Sequence, residues 1–242
     1  MSDDQQTRPG TRSKRSWGLK YALERAAGAA GLLALSPLLA GISVLIKLTS
    51  KGPVLYVSDR LGKDGASFRL YKFRSMRVDA EQILADDGQV ITVDNDPRIT
   101  AMGKVLRMGF DELPQLLNVL KGDMCIIGPR PDLTWELERY TVRERLRVSV
   151  LPGITGFTQV MDGRAMNNAQ NYELDVRYVE NADAAMDLLV LLLTLPYSLG
   201  ARDIGKRCFA RLLRGIEQLD DEVSAARGGG KIPAGAGESK AP

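Results

Sequence analysis

The chain of 242 residues contains no histidine. This absence excludes Ser-His-Asp triads, His-paired cysteines and zinc sites built on two histidines, so proton transfer must fall to carboxylates, lysine, tyrosine or water. The only cysteines are Cys125 and Cys208, too few for a disulfide framework or a four-cysteine metal site. Two thiols suit a reducing, cytosol-facing location. The net charge of +3 decides little by itself.

The strongest physical signal is an apolar segment of 21 uncharged residues, Ala26 to Ile46. At about 1.5 Å per residue it has roughly the length of a bilayer core. Ser36 and Pro37 lie near its midpoint. Proline removes a backbone hydrogen bond and so predicts a kink, and the Ser36 side chain could bond to a backbone group freed at the bend. The basic flanking residues are Arg8, Arg12, Lys14, Arg15, Lys20 and Arg25 before the segment and Lys47, Lys51, Arg60 and Lys63 after it.

Positive charge on both flanks predicts that both ends of the segment are cytoplasmic. We therefore expect residues 19–50 to form a re-entrant membrane helix, with a straight spanning helix as the alternative. A second apolar run, Leu188 to Gly200, has 13 uncharged residues and is too short to span a bilayer. It is either a buried core helix or an interfacial one.

Hydrophobic patterning predicts an α+β fold that is mainly helical, with one small β-hairpin formed by Pro53–Arg60 and Ser67–Arg74. Helices are expected over Asp111–Leu120, over Trp135–Val148 and from Tyr172 onward. The expected organisation is a flexible basic tail (1–18), the membrane helix (19–50), a cytosolic catalytic domain with interfacial helices (51–215) and a flexible C-terminal tail (222–242).

Adjacent carboxylates at the start of a predicted helix are the candidate reaction centre. If Asp111 is the N-cap, Pro114 lies harmlessly in the first turn, and the positive end of the helix dipole keeps Asp111 ionised. The same helix end favours a phosphate, and Glu112 is the candidate Mg²⁺ ligand that would offset the repulsion between carboxylate and phosphate. Arg107 and Arg130 are candidate phosphate clamps. An ordinary capped helix is the alternative.

Two further features could bind an anion. The prolines of Gly128–Pro131 present Arg130 with little conformational freedom. A cluster of basic residues follows the membrane segment and could bind nucleic acid, a nucleotide or, most simply, anionic lipid headgroups. On a strand, Lys72 and Arg74 of this cluster would share a face. The cluster consists of Arg60, Lys63, Arg69, Lys72, Arg74 and Arg77.

Motifs follow the apolar segment in a fixed order: Asp59–Lys63, Phe68–Met76, Asp96–Thr100, Asp111–Gln115, Asn118–Met124, Gly128–Pro131 and Pro152–Gly156. Together they resemble the bacterial sugar transferases, the polyprenyl-phosphate hexose-1-phosphate transferases, in their small monotopic form. The resemblance covers about Lys20 to Ile204. It implies a phosphoglycosyl transferase that moves a sugar-1-phosphate from a UDP-sugar to undecaprenyl phosphate and releases UMP, initiating surface polysaccharide or glycoconjugate assembly.

The resemblance also implies roles for particular residues. Asp111 would be the nucleophile that forms a covalent phosphosugar intermediate, with Glu112 in support and Mg²⁺ as cofactor. Arg130 matches a phosphate-contacting arginine, and Asp175 and Asp187 match further acidic positions of the family. Lys72 and Arg74 are expected to contact nucleotide or phosphate.

The expected location is the cytoplasmic face of the bacterial inner membrane, in contact with its lipids. A catalytically silent, membrane-anchored scaffold of the same fold is the alternative. Nucleic acid is not an expected partner, because the basic cluster has few interleaved aromatics beyond Tyr71 and Phe73. The sugar, the pathway and homo-oligomer formation are left open by the sequence.

Overall fold

The computed structural model describes residues 16–78, 80, 96–161 and 168–198, and within them the chain is mostly helical with two small sheets, as predicted. The helices are α1 (Trp17–Thr49), α2 (Ala101–Leu106), α3 (Leu116–Lys121), α4 (Phe157–Val160), α5 (Asn168–Asn181) and α6 (Ala184–Ser198). The strands are β1 (Leu55–Leu61), β2 (Ser67–Phe73), β3 (Cys125–Ile127) and β4 (Gly153–Thr155). Shorter 3₁₀ helices occur at Lys63–Gly65, Phe110–Gln115, Thr134–Arg139 and Glu144–Ser149. Most of the predicted N-terminal tail and all of the C-terminal tail lie outside the described residues.

Helix α1 is 33 residues long and covers the predicted membrane segment. Within the described part of the chain it is the one helix long and apolar enough to cross a membrane, judged by length and composition, and this indicates membrane association. The helix continues through Pro37. Ser36 Oγ donates a hydrogen bond of 2.8 Å to the carbonyl of Leu33, the group that Pro37 deprives of its usual N–H donor. The re-entrant course of this helix remains a prediction.

One stripe of α1 packs against the rest of the protein. In its first half, Gly28 lies so close to α3 that an added Cβ would sit 2.9 Å from the side chain of Val119, which explains the absence of a side chain here. Near its C-terminal end, Ile42 and Ile46 are buried with Phe73 of β2. The two ends of α1 therefore contact the same folded body.

The predicted hairpin is confirmed: β1 and β2 pair antiparallel, with Tyr56 opposite Lys72 and Arg60 opposite Phe68. Directly opposed residues of an antiparallel pair point to the same side, and side chains two apart on a strand do so too. Tyr56, Arg60 and Lys72 consequently share one face of the hairpin. Gly65 closes the turn with a left-handed φ of 78°.

The largest core cluster lies beneath the second sheet, in which β3 and β4 pair in parallel. Buried Phe157, Leu174, Tyr178 and Val190 bring α4, α5 and α6 together. The backbones of Gly128 and Gly156 approach each other closely beside this core. A Cβ on Gly156 would lie only 2.3 Å from the carbonyl oxygen of Gly128, so a larger residue would not fit here. This approach holds the segment after β3 against β4.

Of two predicted helices, Asp111–Leu120 is α-helical only in its second half and Trp135–Val148 is wrong in form. Residues 110–115 are 3₁₀ rather than α-helical, and the N-cap is Gly109, with a φ of 114°, instead of Asp111. The ring of Pro114 is incompatible with an α-helical carbonyl four residues earlier, which favours the tighter turn. The predicted helix over Trp135–Val148 is likewise two 3₁₀ helices, interrupted at the buried Tyr140.

The helix predicted from Tyr172 onward is also divided. α5 and α6 are separate, and Asp183 Oδ1 caps the second by accepting a hydrogen bond of 2.7 Å from the N–H of Met186. In α6, Val190 and Leu193 are buried in the core while Leu192 and Leu195 are exposed. The second apolar run therefore packs in the core on one side and presents leucines outward on the other.

A buried cation connects α5 to the segment after β3. Arg147 Nη2 donates to Asp175 of α5 at 2.6 Å and to the carbonyl of Arg130 at 3.2 Å. Its Nη1 donates to the Asp132 carboxylate and to the hydroxyl of Tyr140. Arg147 thus fixes the backbone on which Arg130 stands.

We expect Arg147→Met to lower the free energy of unfolding by about 3–5 kcal/mol, because it leaves the buried Asp175 carboxylate without its cation. Arg143→Met is the matched control, since Arg143 also bridges to a carboxylate of α5 but its side chain is 50% exposed, against 4% for Arg147. It should cost about 1 kcal/mol or less. Chemical denaturation measures both, and equal small losses would contradict the structural role of Arg147.

Candidate active site

Glu112 lies between two cations. Its Oε1 is 2.7 Å from Lys72 Nζ and 3.3 Å from Arg130 Nη2. Burial opposes its charge, but the neighbouring Arg130 and Lys72 prevail and lower the pKa of Glu112 to about 2. Glu112 is therefore ionised at any physiological pH, and its carboxylate joins three stretches of chain that are distant in sequence.

Asp111, next to Glu112, has a different environment. Burial raises the pKa of the Asp111 carboxyl, the charge of Lys72 lowers it, and the charge of Glu112 raises it again. The expected N-cap position is wrong, because Asp111 lies within a short 3₁₀ helix whose N-cap is Gly109, and burial is the largest influence on its pKa. Among the described residues Asp111 forms no ion pair, in contrast to Glu112.

Lys72 and Arg130 reach Glu112 from different elements of the fold. Lys72 projects from β2 opposite Tyr56, and burial lowers the pKa of its ammonium group while Glu112 opposes that shift. Arg130 stands on the proline-flanked turn after β3, and its side chain is 49% exposed. One cation is therefore largely enclosed, whereas the other is open to a ligand from solvent.

Arg107 is the C-cap of α2, immediately before the turn that leads to Asp111. Its positive charge contributes to lowering the pKa of the Asp111 carboxyl. The structure thus places the charge of Arg107 near the Asp111 carboxyl.

Arg74 is not part of this group. Its Nη2 donates to the carbonyl of Ser50 at 3.0 Å and to the Ser50 hydroxyl at 2.8 Å, and its Nη1 donates to the carbonyl of Lys51. Arg74 follows the last residue of β2, and its backbone N–H donates to the carbonyl of Val54 at 2.9 Å. The structure gives it the role of binding the C-terminal end of α1.

Asp175 and Asp187 also have structural partners. Asp175 is bound by Arg147, as described above, and by the hydroxyl of Thr158. Asp187 Oδ2 lies 2.8 Å from Lys20 Nζ of α1, and Lys20 donates in addition to the carbonyl of Ile127 at 2.6 Å. Both carboxylates therefore position the segment that carries Arg130 and do not themselves face Glu112.

Sequence reasoning missed two contributors to the site. For Arg60 the sequence leaves nucleic acid, a nucleotide and, most simply, lipid headgroups open as ligands, and only the register of β1 and β2 shows that its side chain shares the face of Lys72. The pairing of Asp132 with Arg147 had no sequence signal, because a buried arginine in a charged stretch has the same spacing as an exposed one.

A magnesium ion would find only part of its ligands here. No group of three or more acidic, cysteine or histidine side chains is gathered in the described ranges. Asp111 and Glu112 could supply one or two carboxylate oxygens. Mg²⁺ is commonly held by one or two carboxylates, water and substrate phosphates, so the residues fit an ion that arrives with a phosphorylated substrate.

Comparison with known proteins identifies the family of this chain. The family model for bacterial sugar transferases matches residues 15–200. The galactosyl transferase CpsE of Streptococcus agalactiae serotype III (strain NEM316) is 44% identical over 156 residues, which are 60% of this chain and 34% of that protein.

Two other relatives have similar identity. The UDP-N-acetylgalactosamine-undecaprenyl-phosphate N-acetylgalactosaminephosphotransferase of Aeromonas hydrophila is 42% identical over 168 residues, 66% of this chain and 38% of that protein. The exopolysaccharide production protein ExoY of Rhizobium meliloti (strain 1021) is 34% identical over 189 residues, 73% of this chain and 84% of that protein.

The chain thus spans about a third of the length of the first two relatives and most of the third. The matched residues 15–200 begin before α1, end after α6 and contain every residue of the candidate site. On this match the chain belongs to the bacterial sugar transferase family.

Proposed function

We propose that this protein is a phosphoglycosyl transferase that moves a sugar-1-phosphate from a UDP-sugar to undecaprenyl phosphate. The observation that carries the proposal is the contrast between adjacent carboxylates: Glu112 is engaged by Lys72 and Arg130, whereas Asp111 forms no ion pair among the described residues. An unengaged carboxylate beside fixed cations suits nucleophilic attack on a phosphate ester. The name of the Aeromonas relative, which includes undecaprenyl phosphate, supports the choice of acceptor.

In the first step, a carboxylate oxygen of Asp111 attacks the β-phosphorus of the UDP-sugar. The bond from that phosphorus to the bridging oxygen breaks, and UMP leaves with the electron pair. In the second step, a phosphate oxygen of the lipid attacks the same phosphorus and displaces the Asp111 carboxylate. The product is a lipid diphosphate sugar, and each step conserves charge without removing a proton from the nucleophile.

This chemistry suits a chain without histidine. A carboxylate above its pKa is already deprotonated and needs no general base, unlike serine or water. The cost of the reaction is instead electrostatic, because an anionic nucleophile approaches an anionic phosphate. Lys72 and Arg130 offset that repulsion from fixed positions. Bound Mg²⁺ would neutralise further phosphate charge, with Glu112 and Asp111 as the protein's oxygen donors.

The packing of α1 supports a location at one face of the membrane. A straight helix that crosses a bilayer has its ends about 30 Å apart on opposite sides. Here Lys20, near the start, bonds to Asp187, while Ile46, near the end, packs with Phe73 of the same folded body. A helix that enters and leaves the same leaflet would satisfy both contacts, and the basic flanks favour the cytoplasmic face.

The lipid acceptor would then approach from the apolar side of the molecule. Leu33 and Leu45 of α1 and Leu192 and Leu195 of α6 are exposed. Exposed leucines of this number are costly in water and favourable in the acyl region of a membrane. The proposed location is therefore the cytoplasmic face of the inner membrane.

Asp111→Asn should abolish UMP release from a panel of UDP-sugars, because the amide is a poor nucleophile. UMP is measured with detergent-purified protein, undecaprenyl phosphate and Mg²⁺, and the membrane fraction of expressing cells reports whether the variant still associates with membranes. Asp59→Asn is the control, since Asp59 is an exposed carboxylate on the hairpin face away from Lys72. Equal release by wild type and Asp111→Asn would rule out the nucleophile, and no release by wild type from any donor would favour a silent scaffold.

As the pH falls, kcat/KM should decrease when the Asp111 carboxylate becomes protonated. The midpoint of this decrease should lie above pH 3.8, the ordinary pKa of an aspartate, because burial raises the pKa of Asp111. Glu112, with a pKa of about 2, does not titrate in this range. Lys72→Gln removes a charge that lowers the pKa of Asp111, so the midpoint of the decrease in kcat/KM should move to higher pH.

Lys72→Arg keeps the charge and is the control for the loss of the lysine side chain. The measurement is kcat/KM against pH for wild type, Lys72→Gln and Lys72→Arg. The midpoint of the acidic decrease can be compared even when the maximal rates of the three proteins differ. The same midpoint in Lys72→Gln and wild type would show that the charge of Lys72 does not affect the pKa of Asp111.

A further inference from the structure

Arg60 has no part in the chemistry described so far, although the fold directs it to the site. It lies on the hairpin face of Tyr56 and Lys72, and Lys72 contacts Glu112 from that face. Its backbone also forms a β-bridge with Leu133, three residues beyond Arg130. Arg60 is therefore held between the strand that carries Lys72 and the turn that carries Arg130.

The charge of Arg60 is not balanced by a carboxylate of its own. In the part of the chain that the structure describes, its guanidinium makes one hydrogen bond, from Nε to the Ser58 hydroxyl at 3.4 Å, and no ion pair. The nearby Glu112 is bound by Lys72 and Arg130.

The other nearby carboxylate is also occupied. Asp132 is bound by Arg147 and by the hydroxyl of Tyr140. Three cations, Arg60, Lys72 and Arg130, thus lie near the two adjacent carboxylates of Asp111 and Glu112, so positive charge is in excess.

Such an excess of positive charge is unfavourable without a ligand. Burial and the charge of Arg130 lower the pKa of the Arg60 guanidinium, and Tyr56, Asp132 and Glu112 oppose this shift without reversing it, so the two arginines are close enough to repel each other. An anion with two linked charged groups would relieve that repulsion at both positions. Guanidinium groups bind phosphate oxygens through paired N–H donors, so two neighbouring arginines are suited to two linked phosphates.

We propose that Arg60 binds the diphosphate of the nucleotide-sugar donor together with Arg130, each arginine holding one of the two phosphates. The identity of this donor rests on the proposed function, but the geometry requires only a diphosphate. In the transfer reaction Arg60 would stabilise the phosphate that leaves with the nucleoside, because Arg130 bonds to Glu112, next to the proposed nucleophile Asp111, and would hold the attacked phosphate.

Calorimetric titration of the purified full chain with inorganic pyrophosphate and, separately, with inorganic phosphate tests the proposal. Wild type should bind pyrophosphate about tenfold or more tightly than phosphate, and Arg60→Gln should weaken pyrophosphate binding about tenfold or more. Phosphate binding should change far less, since Arg130 remains. Arg60→Lys, which keeps the charge but not the paired donors, should be intermediate.

Arg69→Gln is the matched control, because Arg69 lies on the same hairpin, is exposed and points to the opposite face. Its affinity for pyrophosphate should stay within about twofold of wild type. Unchanged pyrophosphate affinity in Arg60→Gln, or no pyrophosphate binding by wild type, would overturn the proposal. UMP release tests the transferase separately, so loss of pyrophosphate preference in Arg60→Gln would support the diphosphate site even if no donor released UMP.

Discussion

The ion pairs of Glu112 bring three separate stretches of chain to one point. Lys72 comes from the hairpin, Glu112 from a 3₁₀ helix and Arg130 from the turn after β3. The interaction is partly buried, so each charge depends on the others for compensation. It also distinguishes two adjacent carboxylates, because Glu112 is held ionised while Asp111 forms no ion pair with any residue that the structure describes. The proposed chemistry rests on that difference.

Buried cations outside the site keep these three stretches in place. Arg147 binds Asp175 and the carbonyl of Arg130, and Lys20 binds Asp187 and the carbonyl of Ile127. The segment between β3 and Arg130 is thus tied to α5 on one side and to α1 on the other. Since α1 is also the apolar helix, these contacts connect that helix to the segment that leads to Arg130. Asp175 and Asp187 affect the site by positioning it.

Local patterns predicted some parts of this arrangement and could not predict others. The hairpin and the apolar helix follow from alternation and from the long uncharged run, which need only local sequence. The 3₁₀ form of residues 110–115 depends on Gly109 and Pro114 acting together, and the helical spacing of the leucines obscured it. Contacts of Arg74 with Ser50 and of Lys20 with Asp187 join distant residues, so no spacing rule could reveal them. The same limit hid Arg60, whose position became clear only from the register of β1 and β2.

The most direct test of the account is the mass of the protein after incubation with a UDP-sugar and Mg²⁺ in the absence of lipid acceptor. A covalent two-step mechanism predicts a mass increase equal to one sugar phosphate, located on the peptide that contains Asp111 and absent from Asp111→Asn. Addition of undecaprenyl phosphate should then discharge the adduct. An adduct on another residue, or lipid-dependent transfer that proceeds without any adduct, would contradict the central role assigned to Asp111.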